Sequence, residues 1–241
     1  MQSNAQLREL FNPESIAVVG ASRSPHKLGH LILSNLISAG YRGTIFPVNP
    51  AGGEILGLTA YPSTADLPRP PDLGIIVLPR EKVLQAMRDL ADAHVDAICV
   101  ITAGFRETGR DGFELEMEMA DLVRRRNITL LGPNTLGLFN TAINLNASIA
   151  QTMPAKGSIS FFSQSGALCS AILDWAEGES IGFSKFVSLG NKAGVSEADV
   201  IEALGDDPDT KVIIGYLESV DDGRKFMTRA QAVTEKKPII M

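Results

Sequence analysis

The stretch Ile16–Gly29 reads IAVVGASRSPHKLG, and it decides the fold. Ile16, Ala17, Val18 and Val19 form a short apolar run, the mark of a buried strand. Gly20 stops it, and the polar turn Ala21-Ser22-Arg23-Ser24-Pro25-His26-Lys27 follows. Leu28, Leu31, Ile32, Leu36 and Ile37 then recur at helical spacing, which predicts a helix that ends near Gly40. A strand, a turn of small residues and a helix N-terminus make an anion site. Unpaired N–H groups and the helix dipole face whatever lies above the turn. Ser22 and Ser24 add hydroxyl donors and Lys27 adds a positive charge. The stretch reads as a phosphate-holding loop on a nucleotide-binding fold. The plain alternative is an ordinary strand–helix connection.

The neighbouring sequence repeats the alternation. Met1–Asn12 reads as a short helix with Leu7, Leu10 and Phe11 on its apolar side, broken by Asn12-Pro13. Thr44–Val48 is a second strand closed by Asn49-Pro50, and residues 51–71 are loop-rich. Leu73–Leu78, Ala97–Ile101 and Ile128–Leu131 are further strands, separated by helices at Glu81–Ala93 and Phe113–Arg126. Alternating strands and helices predict a parallel, doubly wound sheet. Ligands bind such sheets at the carboxyl ends of the strands. That rule gathers Gly20–Lys27, Asn49-Pro50, Leu78-Pro79, Thr102–Gly104 and Gly132–Asn134 on one rim.

The alternation then lapses. Residues 138–156 read as irregular, with asparagines at 140, 144 and 146. They are expected to connect two domains, so the chain divides into 1–137, a connection at 138–157, and 158–241. Strands at Ser158–Phe162, Phe186–Leu189 and Val212–Leu217 alternate with helices at Gly166–Ala176, Glu197–Leu204 and Arg224–Val233. Pro238–Met241 reads as the start of another buried strand, from which a fragment of a longer polypeptide is expected.

Composition narrows the function. A hydrophobic share of 44% in 241 residues is enough for a proper core. The formal net charge of −6 argues against nucleic acid as a partner, because such proteins carry a basic face. No apolar run approaches the ~20 residues that span a bilayer, so no membrane is expected. The 2 cysteines, Cys99 and Cys169, have neither metal-ligand nor disulfide-framework spacing, which fits a reducing cytoplasm. Both read as core residues. His26 and His30 could share a helix face, but two ligands without a third make a poor metal site, and both read as surface residues. No metal site is assigned.

Several motifs carry chemistry, each beside a plainer reading. GxGxxG is absent after the first strand, and Asn49-Pro50 stands where a NAD site wants Asp or Glu for the ribose. Both departures weaken a hydride-transfer reading. Ser163-Gln164-Ser165-Gly166 follows a buried strand and opens a helix. Ser165 suits a helix N-cap, and the same N–H groups could hold a phosphoryl or acyl-phosphate group. A serine hydrolase is disfavoured, because GxSxG is missing and no histidine lies downstream. Gly132–Gly137, reading GPNTLG, is either a turn between domains or backbone lining for a small substrate. Glu218 ends an apolar strand and is either salt-bridged structure or a catalytic orienter.

The ordered series IAVVGAS…KLG, FPVNP, ITAGF, GPNTLG, NLNAS, FFSQSGAL, GFSKFVSLGNKA and KKPIIM resembles a known family. From about Leu10 to Met241 the chain is similar to the α portion of ADP-forming acyl-CoA synthetases (acetate–CoA ligases), relatives of the succinyl-CoA synthetase α subunit. The same segment occurs in fused protein lysine acetyltransferases. The resemblance implies a Rossmann-like CoA-binding domain followed by a flavodoxin-like CoA-ligase domain. It implies that Gly20, Ser22, Ser24 and Lys27 hold CoA phosphates, and that Asn49, Pro50, Leu78, Pro79, Ile101 and Thr102 border the nucleotide. Ser163, Ser165 and Gly166 would meet the phosphoryl group, with Ser165 in a catalytic role. Asn134 and Gly137 would face the acyl group. Glu218 is similar to the glutamate that orients a phosphohistidine imidazole.

The implied reaction interconverts acyl-CoA, phosphate and ADP with a carboxylate, CoA and ATP, through an acyl phosphate and a phosphohistidine outside this chain. ATP, ADP and Mg would sit on a missing ATP-grasp domain or subunit. The implied partners are therefore CoA, a small carboxylic acid and that ATP-grasp unit, in a homo- or hetero-oligomer. This fragment alone is expected to bind CoA without completing turnover. Succinyl-CoA synthetases also touch CoA with a lysine near the second-strand loop and a glutamate in an ITEG-type loop. Here those stretches read Asn49–Gly53 and Ile101–Gly104, which fits the acetate-type branch. The alternative is a CoA- or acyl-CoA-sensing module of a fused acetyltransferase.

Overall fold

The computed structural model describes residues 4–241. The expected first helix is α1, Asn4–Phe11, with Leu7, Leu10 and Phe11 buried; residues 1–3 of that expectation lie outside the described residues. The first sheet follows the expected alternation: β1 (Ser15–Val19), α2 (Leu28–Ser38), β2 (Thr44–Val48), a short hairpin of β3 (Glu54–Ile55) and β4 (Leu58–Thr59), β5 (Leu73–Ile76), α3 (Arg80–Asp92), β6 (Ala97–Val100), α4 (Arg110–Arg126) and β7 (Thr129–Leu131). The five strands are parallel, in the order β2-β1-β5-β6-β7.

Residues of β1 alternate between two cores, as a period of two requires. Ile16 and Val18 pack with Ile32, Leu33 and Leu36 of α2. Ala17 and Val19 pack with Val83, Met87 and Leu90 of α3 and Met119 and Val123 of α4. Both faces are covered, which is why the strand reads as an unbroken apolar run.

The stretch expected to be irregular, 138–156, is not so. It holds β8 (Gly137–Asn140) and β9 (Leu145–Ser148), which pair antiparallel with each other. β8 also pairs antiparallel with β11 (Phe183–Ser188) in the second sheet. The asparagines that suggested a loop have structural partners. Asn140 accepts a bond from the Ala142 N–H at 3.1 Å and donates to the Phe11 carbonyl at 2.9 Å. Asn144 takes the left-handed conformation at the turn (φ 56°), which asparagine tolerates. Asn146 accepts from the Ser148 hydroxyl at 2.7 Å.

The second sheet continues with β10 (Lys156–Ser163), α5 (Gly166–Gly178), β11, α6 (Glu197–Asp206), β12 (Val212–Tyr216), α7 (Gly223–Thr234) and β13 (Ile239–Ile240). Its order is β13-β12-β10-β11-β8-β9, with β10 to β13 parallel. A Rossmann-like sheet followed by a flavodoxin-like one is the expected architecture. Both parallel series place their first strand between the second and third, so each sheet has a crevice where the chain direction reverses. The core of Ile16, Leu33 and Leu73 runs on without a break into Leu138, Phe162, Val187 and Ile201.

Candidate functional site

The two reversal crevices open into one cavity of about 1110 Å³. Ligand clefts run about 300–1,000 Å³, so this one suits a large ligand. Its first wall is the rim expected from sequence, the loops after β1, β2, β5, β6 and β7. Its second wall is Ile149, Gln164, Gly166, Ala167 and Ser170 of the second sheet's side.

The loop after β1 is shaped by backbone close approach. Gly20 has φ 100°, and a Cβ there would lie 2.4 Å from the Val77 carbonyl oxygen, so only glycine fits. Gly29, in the first turn of α2, has no more room: its Cβ would meet the Gly20 carbonyl at 2.0 Å. The helix start is thereby pressed against the end of β1. Lys27 stands at the N-cap in extended conformation and makes no side-chain cap. The Lys27 carbonyl accepts from the His30 N–H at 2.9 Å and the Leu31 N–H at 3.2 Å, so the Leu28 and Gly29 N–H groups are the ones at the helix start that a ligand can use. Ser22 and Lys27 line the cavity. Ser24 does not: its N–H donates to Ser22 Oγ at 3.1 Å and its carbonyl accepts from the Lys27 N–H at 3.1 Å. It shapes the turn. His26 is exposed and lines the cavity. His30 is half-buried, with Nδ1 3.0 Å from the Ser22 carbonyl, and braces the loop instead of lying free on the surface.

The remaining rim loops are stitched to one another. Asn49 Nδ2 donates to the Ala21 carbonyl at 2.7 Å, and its Oδ1 accepts from the Ala51 N–H at 2.9 Å. Thr102 Oγ1 donates to the Leu78 carbonyl at 2.7 Å, and the Thr102 carbonyl accepts from the Asn134 N–H at 3.0 Å. Pro50, Leu78, Pro79 and Ile101 complete this side of the wall.

Asn134 lines the cavity, held at φ 58°, and its Nδ2 donates to Asn191 Oδ1 at 3.3 Å. Asn191 Nδ2 in turn reaches Glu107 Oε2 at 2.6 Å and Glu116 Oε2 at 2.8 Å, so the second sheet's side latches onto the first. Arg106 Nε lies 2.5 Å from Glu116 Oε1 and balances that buried carboxylate. Burial works against the Glu107 charge, but the Asn191 amide and the Gly104 N–H outweigh it and hold its carboxyl below the usual range. Sequence reading assigned no role to Asn191 or Glu107: Asn191 lies within the GFSKFVSLGNKA segment, and Glu107 stands two residues beyond the ITAGF segment.

Gly137 corrects the expectation for the acyl end. It lies in β8, outside the cavity wall, where a Cβ would meet the Ala147 carbonyl at 2.2 Å. Its role is close packing of β8 on β9. Ser163 is buried, with Oγ donating to the Ser165 carbonyl at 3.0 Å and accepting from the Ser165 N–H at 2.9 Å. Ser165 is the N-cap of α5, accepting from the Leu168 N–H at 3.3 Å. Neither serine lines the cavity, whereas Gly166 does, with open space around it. Glu218 is exposed, and among the described residues its carboxylate has no hydrogen bond or ion pair. Its own N–H donates to Gln164 Oε1 at 2.7 Å.

Burial pushes the Cys99 and Cys169 thiols up to about 12, as core residues and not nucleophiles. Among the described residues no three His, Cys, Asp or Glu side chains are grouped to hold a metal, and no helix is long and apolar enough to cross a membrane.

Comparison with known proteins supplies the family. The acetate–CoA ligase [ADP-forming] I of Archaeoglobus fulgidus is 44% identical over 98% of this chain and 34% of its own length. The α subunit of acetate–CoA ligase [ADP-forming] I of Pyrococcus furiosus is 41% identical over 98% of this chain and 52% of its own. The chain thus spans about a third to a half of the length of these curated relatives. The dinucleotide-forming acetyl-coenzyme A synthetase 1 of Ca. Korarchaeum cryptofilum, solved with phosphate and ADP, superposes with TM-score 0.94 at 40% identity, over 99% of this chain and 51% of that one. These relatives are ligases, and nothing among them supports the sensing alternative. Residues 156–241 match the succinyl-CoA ligase like flavodoxin domain. Residues 14–141, more than half the chain, match the CoA binding domain, and the chain belongs to that family.

Proposed function

We propose that this chain is the CoA-binding portion of an ADP-forming acid–CoA ligase of the acetate type. The observation that carries the reading is the single cavity of about 1110 Å³ walled by both sheets' loops, roomy enough for a nucleotide thiol. CoA, when bound, supplies the thiol that forms and releases the thioester. The chain's own residues bind and position it. The loop after β1, with Gly20, Ser22 and Lys27 and the uncapped start of α2, holds the phosphates. Asn49 ties that loop to the end of β2 while bordering the nucleotide with Pro50, and Ser24 keeps the turn in shape from off the wall. Leu78, Pro79, Ile101 and Thr102 border the nucleotide, and Asn134 and Gly166 wall the end where the acyl and phosphoryl groups meet. Positioning and fixed dipoles supply most of the catalysis in such transfers.

In this reading Glu218 orients the imidazole of a phosphohistidine that lies beyond this chain. ATP, ADP and Mg2+ are handled by an ATP-grasp partner domain or subunit, in an oligomeric, cytoplasmic assembly. The carboxylic acid is small, as the names of the relatives indicate for those proteins.

Calorimetric titration of the chain with CoA, with NADH as control, tests the binding reading. CoA binding without NADH binding is expected. NADH binding without CoA binding overturns it, as does failure of the full-length protein to bind CoA. Formation of acetyl-CoA, ADP and phosphate from acetate, CoA and ATP by the full-length protein tests the reaction.

A further inference from the structure

Lys192 is an ammonium shut away from water. Its side chain is 1% exposed, on a residue held at φ 60°. Its Nζ donates to Glu197 Oε2 at 2.9 Å, and Glu197 is equally buried at the start of α6. That pair would balance the charge by itself. The remaining Nζ contacts go to the loop after β12: the Ser219 carbonyl at 3.0 Å, Ser219 Oγ at 3.5 Å and Asp221 Oδ2 at 3.3 Å.

Gln164, just after β10, grips the same loop from the cavity side. Its Oε1 accepts from the N–H groups of Glu218 at 2.7 Å and Ser219 at 3.0 Å, and its Nε2 donates to Ser219 Oγ at 3.2 Å. Ser219 is therefore held at its N–H, its hydroxyl and its carbonyl by two side chains. The loop itself is exposed. Exposed loops ordinarily leave their backbone to water, and burying an ammonium is costly unless every donor is used. Both facts make sense where the direction of the loop matters.

We propose that Gln164 and Lys192 are positioning residues for Glu218: their clamp on Ser219 fixes the direction in which the neighbouring carboxylate leaves the loop. Because Gln164 also lines the cavity, the clamp ties the cavity's acyl end to Glu218. The inference rests on the reading of Glu218 as the group that orients the phosphorylated imidazole.

The test uses the full-length protein, following phosphorylation of the enzyme by ATP and the KM for CoA. Gln164→Leu exposes only groups that water can reach. Lys192→Met combined with Glu197→Gln removes both buried charges together, so that neither is left unpaired. Each is expected to slow phosphoryl transfer about 10- to 100-fold, the cost of a small misplacement. For the Lys192/Glu197 variant the KM for CoA should stay within about twofold, because those residues lie off the cavity. Added to Glu218→Gln, neither change should slow the reaction more than about twofold further, since groups that act through one residue are not additive.

If Glu218→Gln is slow but the Gln164 and Lys192/Glu197 variants match the parent, the clamp is overturned and the Glu218 reading stands. Multiplicative losses in the combined variants also overturn it, as a separate structural effect. If Glu218→Gln itself runs at the parent rate, the Glu218 reading fails and takes the proposal with it.

Discussion

Asn49 donates its side-chain amide to the Ala21 carbonyl at 2.7 Å, so the end of β2 holds the loop at the end of β1. The position where a dinucleotide fold places an acidic ribose ligand is here a structural tie. Asn49→Asp replaces the donor with a carboxylate facing a carbonyl. We expect a loss of about 1–3 kcal/mol in stability, the penalty for an unmade buried bond. CoA affinity should fall and NADH binding should not appear. Denaturant unfolding and calorimetry check both; gain of NADH binding would show that the loop tolerates a dinucleotide ribose.

Gly29→Ala tests the packing of the helix start. The backbone at Gly29 is not left-handed, so no φ strain arises, but its Cβ would lie 2.0 Å from the Gly20 carbonyl. Helix and loop must separate. We expect a loss of about 1–3 kcal/mol, the range for overpacking, together with weaker CoA binding. A variant with the parent's melting temperature and CoA affinity would mean that the loop yields without consequence.

Lys27→Ala and Ser24→Ala separate charge from shape. Lys27 is exposed at the cavity, and its loss should weaken CoA binding about 10-fold at low salt, with the deficit shrinking as ionic strength rises. Ser24 lies off the wall and fixes the turn through its backbone, which alanine keeps. Its effect should be the smaller one. Equal, salt-independent losses in titrations at two ionic strengths would reverse these assignments.

Asp199 gives the fold an acid-sensitive joint. Burial opposes its charge, but hydrogen bonds from Lys225 and Ser196 outweigh burial and hold its carboxyl below the usual carboxylate range. A depressed folded value means that its contribution is present above the unfolded value, about 3.9 for aspartate. The contribution is lost as pH falls through the lower, folded value. Asp199→Asn should flatten the fall of the urea midpoint below about pH 4, while lowering the midpoint at neutral pH. An acid limb identical to the parent's would place the sensitivity in other carboxylates.

Much of this was legible in the sequence because it is local. Thr44–Val48 is bounded by Gly43 and Asn49-Pro50, and the strand has those limits. The rim loops were found from strand ends alone. What stayed hidden depends on distant partners. Asn191 meets Glu107 across 84 residues, and Gln164 meets Glu218 across 54. No window of sequence contains such a pair. The strands β8 and β9 were missed because asparagines signal turns, and their side chains here bond within the strands or to α1. Gly137 looked like ligand lining because glycine allows close approach. The approach is real, but what comes close is the next strand.

The apolar seam that joins Ile16, Leu33 and Leu73 to Phe162 and Val187 also bears on how a ligand enters. A seam of this kind resists hinge opening, because parting the two lobes would wet it at about 25 cal/mol per Å² of apolar area. The crevice is therefore preorganised. Ordering entropy on association falls on the flexible visitor and hardly on its host, and selection among visitors works through a shape that exists before they arrive.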